Sequence, residues 1–280
     1  MDISEKYKGK RKWVRFLAEW LDCYFQHDVG KSAAALTYYL VFAMFPFLIF
    51  LSMLLGFLKL PLIPLTGQAS NLLPEDIIMI LNIGIVHITE RRSSAVLAVG
   101  LIFTLWPPMR AVHSLMDSIN HAYGGEKYPS LLRYRLLTFL FTLCIILFIV
   151  VAMLILLIGE GVLGLISKFW PLSLNFIALW GKLRFIPLGV MLYGILASLY
   201  YVAPNPRPAK RYVFPGAIAA LVTWLIFSMG FAYYVDNLAN YSVIYGSIGA
   251  IIVFLMWLYF SGVVILMGAE FNHALMTVYG

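Results

Sequence analysis

Charge is what this sequence has least of. Asp, Glu, Lys and Arg make up 12% of its 280 residues, about half the roughly 25% usual in water-soluble domains. Apolar residues account for 62% and the mean hydropathy is +0.89. Most of the surface must therefore face a medium that does not reward charge, which excludes a water-soluble fold. Cysteine is nearly absent too: Cys23 and Cys144 fall in an N-terminal amphipathic stretch and inside an apolar run, which excludes a disulfide framework. Motifs of soluble catalysis are missing. No HExxH pair occurs, Gly181-Lys182 lacks the upstream glycines of a phosphate loop, and Glu270 with His273 at i+3 is a weak metal signal by itself. Neither enzymatic activity, a resident metal nor a cofactor is expected. A cleavable signal peptide is not visible either, because the first apolar run begins near Ala33 and is too long for one.

What the chain has instead is length without charge. Crossing a ~30 Å hydrocarbon layer takes about 20 apolar residues, and six stretches qualify, at about 33–58, 95–120, 136–158, 185–203, 213–235 and 243–267. The second has only thirteen uncharged residues before Pro107-Pro108, so it spans only as a kinked helix continuing past Arg110, His113 and Asp117. The expected fold is an all-α polytopic membrane protein with six transmembrane helices. Residues 1–32 form an amphipathic interfacial helix, residues 33–270 the transmembrane domain with short helices in the loops 60–93 and 159–184, and residues 271–280 a short cytoplasmic C-terminus.

The net charge of +7 is distributed by side. With six spans, fourteen Lys and Arg residues fall on the side of the N-terminus and six on the other, and basic residues are retained on the cytoplasmic side. Both termini are expected in the cytoplasm. Ahead of the first span, Trp13, Phe16, Leu17, Trp20, Leu21, Tyr24 and Phe25 recur at helical period beside Lys10, Lys12 and Arg15. Such a helix is expected to lie along the membrane surface, with its bases near anionic lipid. A short match at an offset of 185 residues, Ala34-Ala35-Leu36 with Ala219-Ala220-Leu221, stops too soon to establish an internal repeat.

Polar groups at membrane depth are costly, so each is paired, interfacial or functional. Arg110, His113, Asp117 and Asn120 share one helix face, followed by Tyr123, Glu126, Arg133 and Arg135. The group reads either as a solvated helix end or as the lining of a cytoplasm-facing cavity. Glu270, with Asn272 beyond it, sits at the edge of the last apolar run with no base after it. Its cation is expected from Arg110, Arg133, Arg135 or the Arg207, Lys210 and Arg211 loop. Glu270, Asp117 and His113 are the candidates to carry a proton. Tyr241 and Tyr245, in a tyrosine-rich connection, read as an aromatic belt or as an outer gate.

Across nearly the whole chain these residues resemble the YihY/virulence factor BrkB family of bacterial inner-membrane proteins. The resemblance is carried by Lys31 with Ala33-Ala34-Ala35-Leu36-Thr37-Tyr38-Tyr39 and Pro46, by Asn120-His121-Ala122-Tyr123 with Glu126, and by Tyr200-Tyr201 with Pro204-Asn205. Pro215-Gly216-Ala217, Tyr241 with Tyr245-Gly246-Ser247, and Leu266 with Gly268, Glu270 and Asn272 complete it. Relatives often carry an Arg shortly after the Glu matched by Glu126, where this chain has Lys127-Tyr128-Pro129. The resemblance implies a six-helix protein of the bacterial cytoplasmic membrane. Some members carry a ribonuclease label, and others are associated with envelope integrity or the export of lipid-like precursors.

The residues fit export best. The first expectation is a transporter or flippase-like exporter of a lipid or other amphiphile, anionic in headgroup, with a polar cavity open to the cytoplasm. The alternative is a non-transporting scaffold for envelope assembly, and a membrane-embedded hydrolase or ribonuclease stands last. Membrane lipids are the expected partners and nucleic acid is not. Small residues such as Gly246, Gly249 and Ala250 leave a homo-oligomer open.

Overall fold

A computed structural model describes residues 11–57, 94–125, 128, 130–157, 180, 183–237 and 248–279. Every regular element among them is helical: α1 Lys12–Gln26, α2 Val29–Phe57, α3 Ser94–Ala122, α4 Leu131–Leu157, α5 Phe185–Val202, α6 Val213–Asn237 and α7 Ile248–Tyr279. A short 3₁₀ turn, Lys210–Tyr212, leads into α6. The fold is all-α, as composition requires. Four helical stretches are long and apolar enough to cross a membrane, at Leu131–Ala152, Phe185–Val202, Lys210–Val235 and Gly249–Tyr279, and a shorter apolar helix covers Val29–Met44. The expected loop helices, Tyr241, Tyr245 and Glu126 lie outside the described residues.

Where helices end follows local chemistry. Asp28, between α1 and α2, has φ 51°, a left-handed conformation that Asp tolerates better than most residues. At the end of α3, Gly124 has φ 64°. Its N–H donates to the His121 carbonyl at 2.9 Å and the Gly125 N–H to the Asn120 carbonyl at 2.8 Å, the Schellman pattern that a glycine at this position permits. α3 runs through Pro107 and Pro108 and α2 through Pro46. α7 does not stop at Met267, where the apolar run ends. It continues through Glu270 and Asn272 to Tyr279.

The chain forms two compact units. One comprises Lys31–Ser114 and Met229–Gly262, the other Met1–Gly30, Leu115–Ser228 and Val263–Gly280. In the first, a Cβ placed on Gly262 would lie 3.4 Å from Ala33 Cβ and from a Leu36 methyl, so α2 and α7 meet through small residues. The Thr37 hydroxyl returns to the Ala33 carbonyl at 2.8 Å, which satisfies it within its own helix.

The second unit has a core of Met116, Ile119, Leu199, Tyr200, Ala217, Ala220, Leu266 and Ala269. α4 packs against α5. Ile218, Val222, Ile226 and Leu136, Leu140, Leu147 stay exposed along α6 and α4, an outward apolar surface suited to lipid. α6 and α7 approach closely at Gly216 and Gly268. There the Gly216 N–H, an orphan donor of the first turn of α6, donates to Asn272 Oδ1 at 2.7 Å, and Asn272 Nδ2 donates to the Val213 carbonyl at 3.1 Å. The Tyr200 hydroxyl donates to the Ile265 carbonyl at 2.5 Å, tying α5 to α7.

A methyl group at Gly216 would collide with the Asn272 side chain and the Gly268 carbonyl. Gly216→Ala is expected to destabilise the protein by about 1–3 kcal/mol through overpacking. Gly230→Ala, where a Cβ meets nothing within 4 Å, is expected to be neutral. Thermal melting of the detergent-solubilised variants compares the two.

Candidate functional site

The chemistry of the second unit gathers where α1 crosses α7. α1 divides its apolar stripe between two faces. Trp13, Leu17, Leu21 and Phe25 point outward, whereas Cys23 is buried and Phe16 and Trp20 pack edge-on against Phe271 of α7, with ring centroids 4.9 and 5.7 Å apart. Trp20 Nε1 donates to the Met267 carbonyl at 2.9 Å. These contacts bring the end of α1 against Glu270, which is 1% exposed. His27 Nδ1 lies 2.8 Å from one carboxylate oxygen of Glu270 and 2.9 Å from the other. The Cys23 sulfur lies within 4.8 Å of the same carboxylate. One ligand-capable atom from each of Cys23, His27 and Glu270 lies within 4.8 Å of the others.

Two more imidazoles surround this group. The His121 ring centroid, at the end of α3, is 5.2 Å from that of His27, and the His273 centroid is 6.0 Å away. A carboxylate removed from water costs several kcal/mol unless a partner compensates, and the partner here is His27. Its hydrogen bond to Glu270 raises the imidazole above its ordinary range against the opposing pull of burial. Burial, and after it the Glu270 charge, pushes the Cys23 thiol up and keeps it protonated.

A separate pocket of about 300 Å³ opens between the start of α4 and the turn after α5. Arg133 and Arg207 supply its charge, Leu137, Val202 and Pro204 its apolar wall, and Tyr128 and Asn205 its polar edge. Its floor is fixed by hydrogen bonds. The Tyr128 hydroxyl donates to the Ala203 carbonyl, the Asn205 N–H donates to Asn120 Oδ1 at 2.8 Å, and the Tyr128 and Tyr134 rings stack at 4.3 Å. The Tyr134 hydroxyl in turn donates to Asp117 at 2.5 Å.

The residues singled out in the sequence thus take different places. Glu270 pairs with His27, not with any of the arginines or the lysine expected. Asn272 clamps α6. Asp117 and Asn120 are engaged by Tyr134 and Asn205, and the Tyr123 hydroxyl is buried beside Asn272 without a hydrogen bond of normal geometry. Arg110 is exposed over the Trp106 ring at 5.5 Å, and His113, half-buried, lies on the same helix in the other unit. Sequence reasoning passed over Cys23 and His27, although their i, i+4 spacing on a helix places them on one face. Arg207, expected only as a base in the loop before α6, and Tyr128, where the chain departs from the family pattern, both line the pocket.

Comparison with known proteins identifies the family. The family model described as virulence factor BrkB matches residues 21–279. The chain belongs to the virulence factor BrkB family. A ribonuclease-like protein of Bacillus subtilis, YfkH, is 34% identical over 260 residues, covering 92% of this chain and 94% of that one. A UPF0761 membrane protein of Chromohalobacter salexigens is 29% identical over 276 residues, covering 93% of this chain and 64% of its own. One from Alteromonas mediterranea is 40% identical over 93 residues, covering 33% of this chain and 31% of its own. No solved structure matches the chain. The part that matches the BrkB family begins two residues before Cys23 and runs past His273, so the whole carboxylate cluster and the basic pocket fall inside it.

Cys23 is 4% exposed and lies against Glu270. In a Cys144→Ser background, Glu270→Ala is expected to speed maleimide labelling of Cys23 at least tenfold. Glu270→Gln, which keeps a hydrogen-bonding group opposite His27, is expected to leave labelling within about threefold of the parent. Stopped-time mass spectrometry reads both.

Proposed function

We propose that this BrkB-family protein binds an anionic amphiphile of the cell envelope by its headgroup and carries it across the cytoplasmic membrane. The supporting observation is the pocket of about 300 Å³ that joins two guanidinium groups, Arg133 and Arg207, to an apolar wall of Leu137, Val202 and Pro204. The volume lies at the small end for ligand pockets, large enough for a headgroup with the first carbons of its chains. Guanidinium groups grip phosphate or carboxylate oxygens in bidentate fashion, and the apolar wall beside them receives the start of an acyl chain.

The pocket lies between the start of α4 and the turn after α5, which the six-span reading assigns to the side of fourteen of the twenty Lys and Arg residues. By the distribution of bases that side is cytoplasmic, where anionic lipid attracts basic segments. Export from the cytoplasmic leaflet is the direction this placement favours. The exposed apolar rows of α4 and α6 would let the lipid tail remain in the bilayer while the headgroup is held. The ribonuclease-like name of the Bacillus subtilis relative is not extended to this chain. Asp117 is taken by Tyr134 and Glu270 by His27, so neither carboxylate is presented to a phosphate lying between the two arginines.

Native mass spectrometry of the full-length protein in mixed phosphatidylglycerol and phosphatidylcholine, followed by a flipping assay in liposomes of the same lipids, tests this. The intact protein is expected to retain phosphatidylglycerol over phosphatidylcholine by at least tenfold and to move its labelled analogue between leaflets. Arg133→Ala with Arg207→Ala is expected to abolish both. Retention of phosphatidylglycerol without movement would make the chain a lipid-anchored scaffold. Equal retention of the two lipids by parent and double variant would remove the headgroup site altogether.

A further inference from the structure

The geometry points to a binding site for one divalent transition-metal ion of the zinc class, held by Cys23, His27 and Glu270 with the His121 ring within reach of the fourth position, which staples α1 to α7. It is independent of the lipid pocket and shares no residue with it.

The donor set is mixed sulfur, nitrogen and carboxylate oxygen, the combination that borderline divalent ions take and that magnesium or calcium do not favour. Two of the ligands lie four residues apart, Cys23 in the last turn of α1 and His27 as the residue that caps it, and the third comes from α7, against which α1 is already packed. In a tetrahedral zinc site, bonds of about 2.0–2.3 Å put neighbouring ligand atoms roughly 3.3–3.8 Å apart. Atoms that now lie within 4.8 Å of one another, including an Nδ1 to oxygen contact of 2.8 Å, reach that arrangement by shifts of a few tenths of an ångström to about one ångström. Two imidazoles on one tetrahedral ion have ring centroids about 5 Å apart by the same geometry. The His27 and His121 centroids are 5.2 Å apart, and the His273 ring, at 6.0 Å, is left as an outer neighbour able to orient Glu270 or His27.

The site is also braced. Trp20 is hydrogen-bonded to α7, and Phe16 and Trp20 wedge against Phe271, so the two helices that carry three of the ligands are held before any ion arrives. A metal ion of this class binds thiolate, neutral imidazole and carboxylate, and so displaces any proton these three groups hold. An adjacent dication reverses the electrostatics that keep a buried thiol protonated, and binding releases these protons to solvent.

The test uses tag-free full-length protein in detergent, freed of metal by a chelator and titrated with cobalt(II) as a spectroscopic stand-in for zinc. One cobalt ion per chain is expected, with the visible absorption of a tetrahedral site and a near-ultraviolet band from thiolate to metal; zinc should displace both. Cys23→Ser, a one-atom change, is the deciding variant. It is expected to lose the thiolate band and to weaken binding at least tenfold, and His27→Gln and Glu270→Gln are expected to weaken it by a similar factor. Elution profile and far-ultraviolet circular dichroism establish that each variant compared is folded. Octahedral absorption only, or cobalt affinity and spectrum unchanged by Cys23→Ser and by His27→Gln, would overturn the assignment. A flipping assay that fails while the cobalt spectrum behaves as described would overturn the lipid reading and leave the metal site standing.

Discussion

A carboxylate buried at the end of an apolar helix must find a partner, and much of the second unit is arranged around that need. Glu270 sits on α7 with 1% exposure, one turn beyond the point where the hydrocarbon-like run stops. Its partner comes from 243 residues earlier in the chain. To deliver His27 there, α1 gives part of its aromatic stripe to α7 and leaves the remainder exposed. Its inner face is one wall of a polar site that holds Cys23, His27 and Glu270 together, with His121 close by.

The same economy of polar groups recurs along α7. Asn272 has no exposure and spends both ends of its amide on α6, accepting from Gly216 and donating to Val213. Tyr200 spends its hydroxyl on the Ile265 carbonyl. Each bond supplies a directional contact where lipid-facing apolar surfaces give little orientation, since chains in lipid gain little from apolar burial. Glycines at 216 and 268 allow the helices to come near enough for those bonds to form. The basic pocket beside them is built by the same means, its floor pinned by Asn120, Tyr128 and the carbonyls that follow α5.

The apolar helices were legible in the sequence because their signal is local: twenty or so uncharged residues in a row require nothing from elsewhere in the chain. Glu270 could be recognised as a residue in need of a partner, but the partner could not be named. The expected cations were permanent ones, arginines and Lys210, whereas a histidine at the end of α1 serves. Cys23 and His27 carried a signal at helical spacing that only gains meaning once α1 is known to face α7. The far end of α7 was hidden by its own polarity. Glu270 and Asn272 resemble a helix leaving the membrane until α1 and α6 are placed against them.

The central claim is that Glu270 and His27 are energetically coupled, so that the N-terminal helix is docked by a specific polar contact and not by its aromatic stripe alone. A double-mutant cycle on Glu270→Gln and His27→Gln, read by reversible denaturation of the full chain in detergent, measures that coupling directly. Coupling of about 1–3 kcal/mol is predicted for a buried pair sharing one hydrogen-bonded contact. Additivity within about 0.5 kcal/mol would mean that the two side chains are neighbours without being partners, and the account of how α1 is held would fail.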